Sequence, residues 1–349
     1  MFKAKIYIRG KMLSVFLAFS ILSFTGFLKL AHPQNLDSNQ VTLGVLFAEL
    51  DEPGKKERDR FLKTAEKFSA RLVIKDALAS QELQMAQAEE LINQGIKVLL
   101  INPCHPNQAR RIVENAHKKG VIVIAFERII KVCDLDYYVG FDYQKIGELQ
   151  AESALQRAPS GNYLLIPGAR SDYDAQMIRT GWKKALNPLV SAGTIKIVLE
   201  QSFSEKNLQN PKPELERALK KVDNQIKVAL TGNDILTEAM IEFLAEKEIG
   251  ENPLVIGQGA DLNSLRRVAN GSQAMTVYKP IPELALTAIE LSLKVAKKEK
   301  VNYLINNTVN NEFKEVPSIL IKPIILDKNN LEKFIIQGQI YTKEQIYGN

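Results

Sequence analysis

Polar and charged residues follow most of the apolar segments that have the length of a β-strand. In open α/β sheets, the residues just beyond the carboxyl ends of the strands line the ligand crevice. Carboxylates, amides, a guanidinium and an ammonium group can together donate to and accept from the hydroxyls of a small polar molecule. The pattern therefore predicts the rim of a binding cleft. The candidates are Glu49, Asp51, Glu52, Asn102, Glu127, Arg128, Asp142, Arg170, Asp172, Tyr173, Asp174, Asn233, Asp234, Gln258, Asp261 and Lys279.

Two of these residues have a structural explanation that competes with binding. Asp234 and Asp261 each stand where a helix is predicted to begin. A carboxylate at that position accepts hydrogen bonds from the unpaired N–H groups of the first turn. We expect both residues to cap helices.

Motifs of catalysis and metal binding are missing from the sequence. No glycine-rich dinucleotide or phosphate loop and no Gly-x-Ser-x-Gly elbow is present. The three histidines, His32, His105 and His117, show no spacing that would hold a metal. We therefore expect no enzyme, no cofactor and no metal site.

Strand-length and helix-length segments alternate from residue 41 onward. Continuous apolar runs such as 98–101 and 121–125 are typical of strands buried on both faces of a parallel sheet. Such alternation predicts an α/β fold with doubly wound sheets, and 349 residues favour two domains. The predicted strands are 41–47, 71–75, 98–101, 121–126, 137–139, 163–166, 195–200, 228–231, 254–257 and 274–277. The predicted helices are 55–68, 80–94, 107–119, 144–158, 176–189, 213–221, 236–246, 262–269 and 281–298.

The N-terminus has the pattern of a secretory signal peptide. A basic segment precedes residues 12–28, which are uncharged and rich in Leu, Phe and Ile. This apolar stretch is short for a membrane-spanning helix, which takes about 20 residues. We expect export, with residues 1–31 as the leader and 32–40 as a linker. The residues that follow match the pattern of a cleavage site poorly. The alternative is therefore kept that the segment is not cleaved and anchors the protein to the membrane.

The leader also explains the net charge of +6. Five of the 46 basic residues and none of the 40 acidic residues lie within residues 1–31, so the remainder is nearly neutral. A nearly neutral body has no broad field to attract phosphate backbones. We expect no nucleic-acid partner.

The two cysteines, Cys104 and Cys133, each follow a predicted strand. If those strands are parallel neighbours, a disulfide is geometrically possible in an oxidising compartment. Two separate thiols are the alternative, and the sequence leaves both open.

Several dispersed segments resemble a known family. They are the block QAMTVYKPI at 273–281, IGELQA at 146–151, GNY at 161–163, GND at 232–234 and IGQ at 256–258. From about Val41 to about Leu331 the chain resembles the periplasmic sugar-binding proteins of ABC importers, of the ribose and galactose type, and most closely the xylose-binding members.

The resemblance implies a type I periplasmic binding protein fold, with two Rossmann-like lobes that contain parallel sheets and are joined by a three-segment hinge. The N-terminal lobe would comprise 41–142 plus 280–301, and the C-terminal lobe 143–279 plus 302–331. Residues 332–349 would form a C-terminal extension. The implied protein is a periplasmic monomer that captures a monosaccharide or related polyol for an ABC permease. A sugar-sensing receptor that partners a sensor kinase or chemoreceptor is the alternative.

The resemblance also implies sugar contacts. Arg128, Asn233 and Lys279 match family contact residues, whereas Glu127 replaces an aspartate and Asp174 stands near an asparagine. The full candidate site is Arg128, Glu127, Asn233, Lys279, Asp174, Asp172, Phe203, Glu52 and Gln258.

Other positions depart from the family pattern. Pro53 and Gly54 stand where the xylose-binding members have an arginine and a stacking tryptophan. A second stacking tryptophan falls near Ser202, and Gly259 replaces an aspartate. We expect either a ligand other than xylose or weak binding, and we expect the single tryptophan, Trp182, to pack within the protein.

Overall fold

The computed structural model describes residues 41–50, 52–170, 172–204, 213, 216–217, 225–247, 253–338 and 341–348. The predicted leader and linker, Asp51, and most of the predicted helix 213–221 lie outside these residues. Within the described part of the chain, no helix combines the length and apolar character needed to span a membrane.

Thirteen strands are described, and they form two larger sheets and one strand pair. They are β1 (Thr42–Phe47), β2 (Arg71–Asp76), β3 (Val98–Ile101), β4 (Ile122–Phe126), β5 (Tyr137–Phe141), β6 (Gly161–Ile166), β7 (Ile195–Glu200), β8 (Ile226–Thr231), β9 (Leu254–Ile256), β10 (Thr276–Tyr278), β11 (Asn307–Asn310), β12 (Glu315–Ile321) and β13 (Ile324–Leu326). The first sheet has the order β11-β12-β5-β4-β3-β1-β2, and the second has the order β7-β6-β8-β9. Strands β10 and β13 pair antiparallel.

All neighbouring strands of the two larger sheets run parallel, except the antiparallel pair β11 and β12. In the first sheet, Val45 lies opposite Ile74 on one side and Leu100 on the other. Burial on both faces accounts for the continuous apolar character of the central strands. The predicted α/β class with parallel sheets is confirmed.

Helices cover the sheets and provide most of the connections. They are α1 (Glu52–Lys67), α2 (Gln81–Asn93), α3 (Arg110–His117), α4 (Tyr143–Arg157), α5 (Tyr173–Ser191), α6 (Asp234–Lys247), α7 (Leu262–Asn270), α8 (Ile281–Ala296), α9 (Leu331–Gly338) and α10 (Lys343–Tyr347). Helices α1 and α8 pack together beside the first sheet, and α4 and α5 pack together beside the second.

Part of the predicted lobe assignment is wrong. Residues 302–331 were placed with the C-terminal lobe, but β11 and β12 extend the first sheet, where Ser318 lies opposite Tyr138. The physical reason is that β12 forms hydrogen bonds with the backbone groups of β5 that β4 leaves unpaired. Residues 41–349 form one unit by their internal contacts, so the remaining lobe boundaries stay a prediction.

The two cysteines are free and buried. The Cys104 thiol lies 3.7 Å from the carbonyl oxygen of Ala48, and the Cys133 thiol lies 3.9 Å from that of Ile130. Burial raises the pKa of each thiol to about 11. Of the two alternatives from the sequence, the structure has separate thiols.

Two glycines allow α4 and α5 to cross closely. A Cβ atom on Gly147 would lie 2.0 Å from the carbonyl oxygen of Ile178, and one on Gly181 would lie 2.1 Å from that of Gln144. Backbone atoms cannot yield as a flexible side chain can, so any larger residue must separate the helices.

We expect Gly147→Ala to lower the free energy of unfolding by about 1–3 kcal/mol, the usual cost of overpacking. Urea denaturation measures this change. Asn187→Ala, on the exposed face of α5, is the control and should change stability by less than about 0.5 kcal/mol. Equal stability of both variants would show that the helix crossing tolerates a methyl group.

Candidate functional site

The carboxyl end of β4 presents Glu127 and Arg128. Glu127 has a φ angle of 62°, a left-handed conformation that is uncommon outside glycine and recurs at functional sites. Its backbone N–H donates to Val139, and its carbonyl accepts from the buried Tyr138 hydroxyl at 2.8 Å. Its carboxylate accepts from the Asn102 amide at 2.7 Å. These bonds fix the turn from which Arg128 projects.

Arg128 from the first sheet lies close to the acidic groups that begin α5 beside the second sheet. Burial acts to lower the pKa of Arg128, but Glu127, Asp172 and Asp174 outweigh it, and the pKa is raised above its ordinary value. Asp172 caps α5 by accepting from the N–H of Asp174 at 3.1 Å. No described residue forms a hydrogen bond or ion pair with the Arg128 guanidinium. The guanidinium is therefore free to donate to a ligand.

Asp174 is the electrostatic centre of this group. Burial raises the pKa of Asp174 to about 8, and the Asp172 carboxylate adds to the rise. Lys279, the Tyr143 hydroxyl and Arg128 act in the opposite direction. At neutral pH the Asp174 side chain is thus mainly a neutral acid, which can both donate and accept a hydrogen bond.

Lys279 follows β10 and lies against two aromatic rings, one at the end of β5 and one at the start of α4. Its Nζ atom is 5.7 Å from the ring centre of Phe141 and 5.5 Å from that of Tyr143. Cation–π attraction of this kind orients an ammonium group without neutralising it. Phe141 and Tyr143 also border a cavity of about 180 Å³ that Tyr173 and Asn307 help to line. Lys279 thus keeps its donors available close to Asp174.

We name this group the cleft cluster and define it as Glu127, Arg128, Asp172, Asp174, Lys279 and Tyr143. Tyr143 was missed by the sequence analysis, although it directly follows the candidate Asp142. Asp142 was the last residue selected after the predicted strand 137–139, and α4 was predicted to begin at Gln144. Tyr143 lies between them and was assigned to neither.

Asn233 and Gln258 lie at the ends of β8 and β9, and both use their side chains within the protein. Asn233 accepts from the N–H of Leu236 at 2.9 Å and so caps α6. The Gln258 amide donates to the carbonyl of Gly232, while its oxygen is buried without a partner among the described residues. The structure does not connect either residue to the cleft cluster, and their predicted ligand contacts stay predictions.

The network behind these strand ends includes the single tryptophan. Trp182 is fully buried, and its indole N–H donates to Gln150 at 2.9 Å. Gln150 in turn donates to the carbonyl of Thr231 at 3.0 Å. The prediction that Trp182 packs within the protein is confirmed.

The two predicted helix caps differ. Asp261 caps α7 by accepting from the N–H of Ser264 at 2.6 Å, as predicted. Asp234 does not cap α6, because Asn233 takes that role; it accepts instead from the N–H of Asp261 at 2.9 Å. Burial, followed by the charge of Asp261, raises the pKa of Asp234 to about 7.

Two further candidates are not part of the cleft cluster. Phe203 is fully buried in the core of the second sheet with Leu164 and Ile166. A backbone bridge between Phe203 and Ala169 fixes it there, so we leave it out of the proposed site. Glu52 begins α1, and its side chain is outside the described part.

Strand-end groups from both sheets, brought together at one place, define a ligand-binding α/β protein. A family model described as a periplasmic binding protein domain matches residues 53–300. The chain belongs to the periplasmic binding protein family, whose members bind substrates rather than transform them. The predicted family and fold are confirmed.

The similar proteins agree with this assignment. The D-xylose-binding periplasmic protein of Haemophilus influenzae is 38% identical over 296 residues, which cover 84% of this chain and 87% of that protein. The D-xylose-binding periplasmic protein of Escherichia coli is 34% identical over 310 residues, 88% of this chain and 93% of that one. A carbohydrate transporter solute-binding protein from Chloroflexus aurantiacus, solved with D-glucose, superposes with a TM-score of 0.78 at 26% identity, covering 88% and 98% of the two chains.

Proposed function

We propose that the protein binds an uncharged monosaccharide or related polyol in the periplasm and delivers it to an ABC permease. The observation that carries the proposal is the cleft cluster, in which Arg128, Asp174 and Lys279 approach one another from different strand ends. The names of the two D-xylose-binding relatives support a sugar as the ligand class.

The charges of the cleft cluster favour an uncharged ligand. The cations Arg128 and Lys279 stand against the carboxylates of Glu127 and Asp172, while Asp174 is mainly neutral at pH 7 because its pKa is about 8. A balanced site gives no net attraction to a sugar acid or a sugar phosphate. Vicinal hydroxyls, each of which donates and accepts, satisfy such a mixture of groups.

A thermal-shift screen of the full chain tests the proposal. The probes are D-xylose, D-glucose, D-ribose and myo-inositol, with D-xylonate as the charged counterpart of xylose. A ligand present at 100 times its dissociation constant should stabilise the protein by about 2.7 kcal/mol. We expect one or more of the neutral compounds to raise the melting temperature and D-xylonate to have no effect. No shift with any neutral sugar or polyol would overturn the proposal.

A further inference from the structure

The C-terminal extension is fixed to the second sheet's side of the protein. Leu331 of α9 is fully buried, and Ile346 of α10 is nearly so. They form one apolar cluster with Leu265 and Val268 of α7. Arg266 of α7 also donates to the carbonyl of Gln345 at 2.7 Å. The extension is therefore packed against α7.

From this position the extension contacts α1, which packs beside the first sheet. Tyr341 lies between α9 and α10, and the Nζ atom of Lys56 in α1 is 4.8 Å from its ring centre. Helix α1 is held to the first sheet by Phe61, whose ring contacts Phe47 and Phe126. The Lys56–Tyr341 contact thus joins an element of the first sheet to an element fixed beside the second.

The extension and α1 both approach Tyr278, the last residue of β10, next to the cleft cluster. Phe334 of α9 packs edge-on against Tyr278, with ring centres 4.7 Å apart. Arg60 of α1 is close enough to lower the pKa of Tyr278, although burial raises it overall to about 12. Tyr278 directly precedes Lys279. The extension therefore reaches from α1 to the base of the binding lysine.

We propose that Tyr341 and Lys56 form a latch that holds the two sheets together across the cleft and slows the release of bound ligand. The latch rests on the proposed binding function, since it acts on the same cleft. An exposed cation–π contact is weak, but open and closed states of binding proteins differ by little, so a weak contact changes their populations measurably.

The experiment compares Tyr341→Leu and Lys56→Gln with the parent in the full chain. Spin labels at Glu66→Cys in α1 and Glu242→Cys in α6, both exposed positions, report the distance between the two sides without ligand. The native cysteines are buried and stay unlabelled. Each variant should shift the distance distribution toward longer values. The dissociation rate of the compound that gives the largest thermal shift among D-xylose, D-glucose, D-ribose and myo-inositol should rise about two- to fivefold.

Tyr347→Leu and Lys63→Gln are the matched controls. Tyr347 is an exposed tyrosine of the same extension, and Lys63 is an exposed lysine of the same helix. Both should behave like the parent, and the double variant Tyr341→Leu/Lys56→Gln should have no larger effect than either single change. Unchanged distances in both latch variants would overturn the latch, whereas a parent that binds no sugar would overturn the proposed function and leave the distance measurement to decide the latch.

Discussion

Lys279→Ala should remove most of the ligand-dependent stabilisation and leave the ligand-free protein nearly as stable as the parent. The Lys279 ammonium has no ion pair within the described structure and rests on the rings of Phe141 and Tyr143. Lys279 is half-buried, and losing its cation–π contacts costs about 0.5–2 kcal/mol. Losing a charge-assisted hydrogen bond to the ligand costs about 1.5–3 kcal/mol, which weakens binding by about 10- to 150-fold.

Isothermal titration with the sugar selected by the thermal-shift screen measures the change in affinity, and urea denaturation measures the change in stability. Arg128→Ala should behave in the same way, because its guanidinium also has no partner among the described residues. Lys322→Ala is the control, since Lys322 is exposed and lies outside the cleft cluster. Parent-like affinity in both Lys279→Ala and Arg128→Ala would exclude the cleft cluster as the binding site.

The sequence predicted the parts of the fold that depend on local pattern. The strand 98–101 and the strand 195–200 have the predicted bounds, because short segments rich in Ile, Val and Leu between turn residues define them without reference to the rest of the chain. The hairpin of β11 and β12 was missed. Its strand β11, with sequence NTVN, buries only Val309, so it carries almost no periodic signal. It forms as the edge partner of β12, which itself pairs with the distant strand β5.

The candidate site was predictable to the extent that it depends on strand ends. Arg128, Asp174 and Lys279 were selected by that rule, and the structure brings them together. Phe203 also follows a strand, but its ring packs into the core. A strand-end position fixes where the backbone lies; the direction of an apolar side chain depends on the space that neighbouring elements leave. Local sequence patterns therefore do not predict the direction of such a side chain.

The pH dependence of stability should identify Asp174 as an acid that holds its proton in the folded protein at neutral pH. The pKa of Asp174 is raised to about 8 in the folded protein, against about 3.9 in an unfolded chain. Between these values the folded state holds a proton that the unfolded state has released. Stability therefore falls as pH rises from about 4 to about 8, and this group alone contributes on the order of 1.4 kcal/mol per pH unit.

Asp174→Asn should remove this contribution. Urea denaturation between about pH 5 and pH 9 covers most of this decline and extends past the folded-state pKa of about 8. The free energy of unfolding of the variant should depend less on pH than that of the parent, so that the variant is the more stable protein above pH 7. Asp234, with a pKa raised to about 7, contributes a separate decline in stability that both proteins share. Glu66→Gln on the exposed face of α1 controls for the loss of an ordinary carboxylate.

Because a protonated acid and an amide each offer a donor and an acceptor, the variant should also retain ligand affinity at pH 7. Identical pH profiles in the parent and Asp174→Asn would show that Asp174 is ionised in the folded protein, and the charge balance that favours an uncharged ligand would then no longer hold.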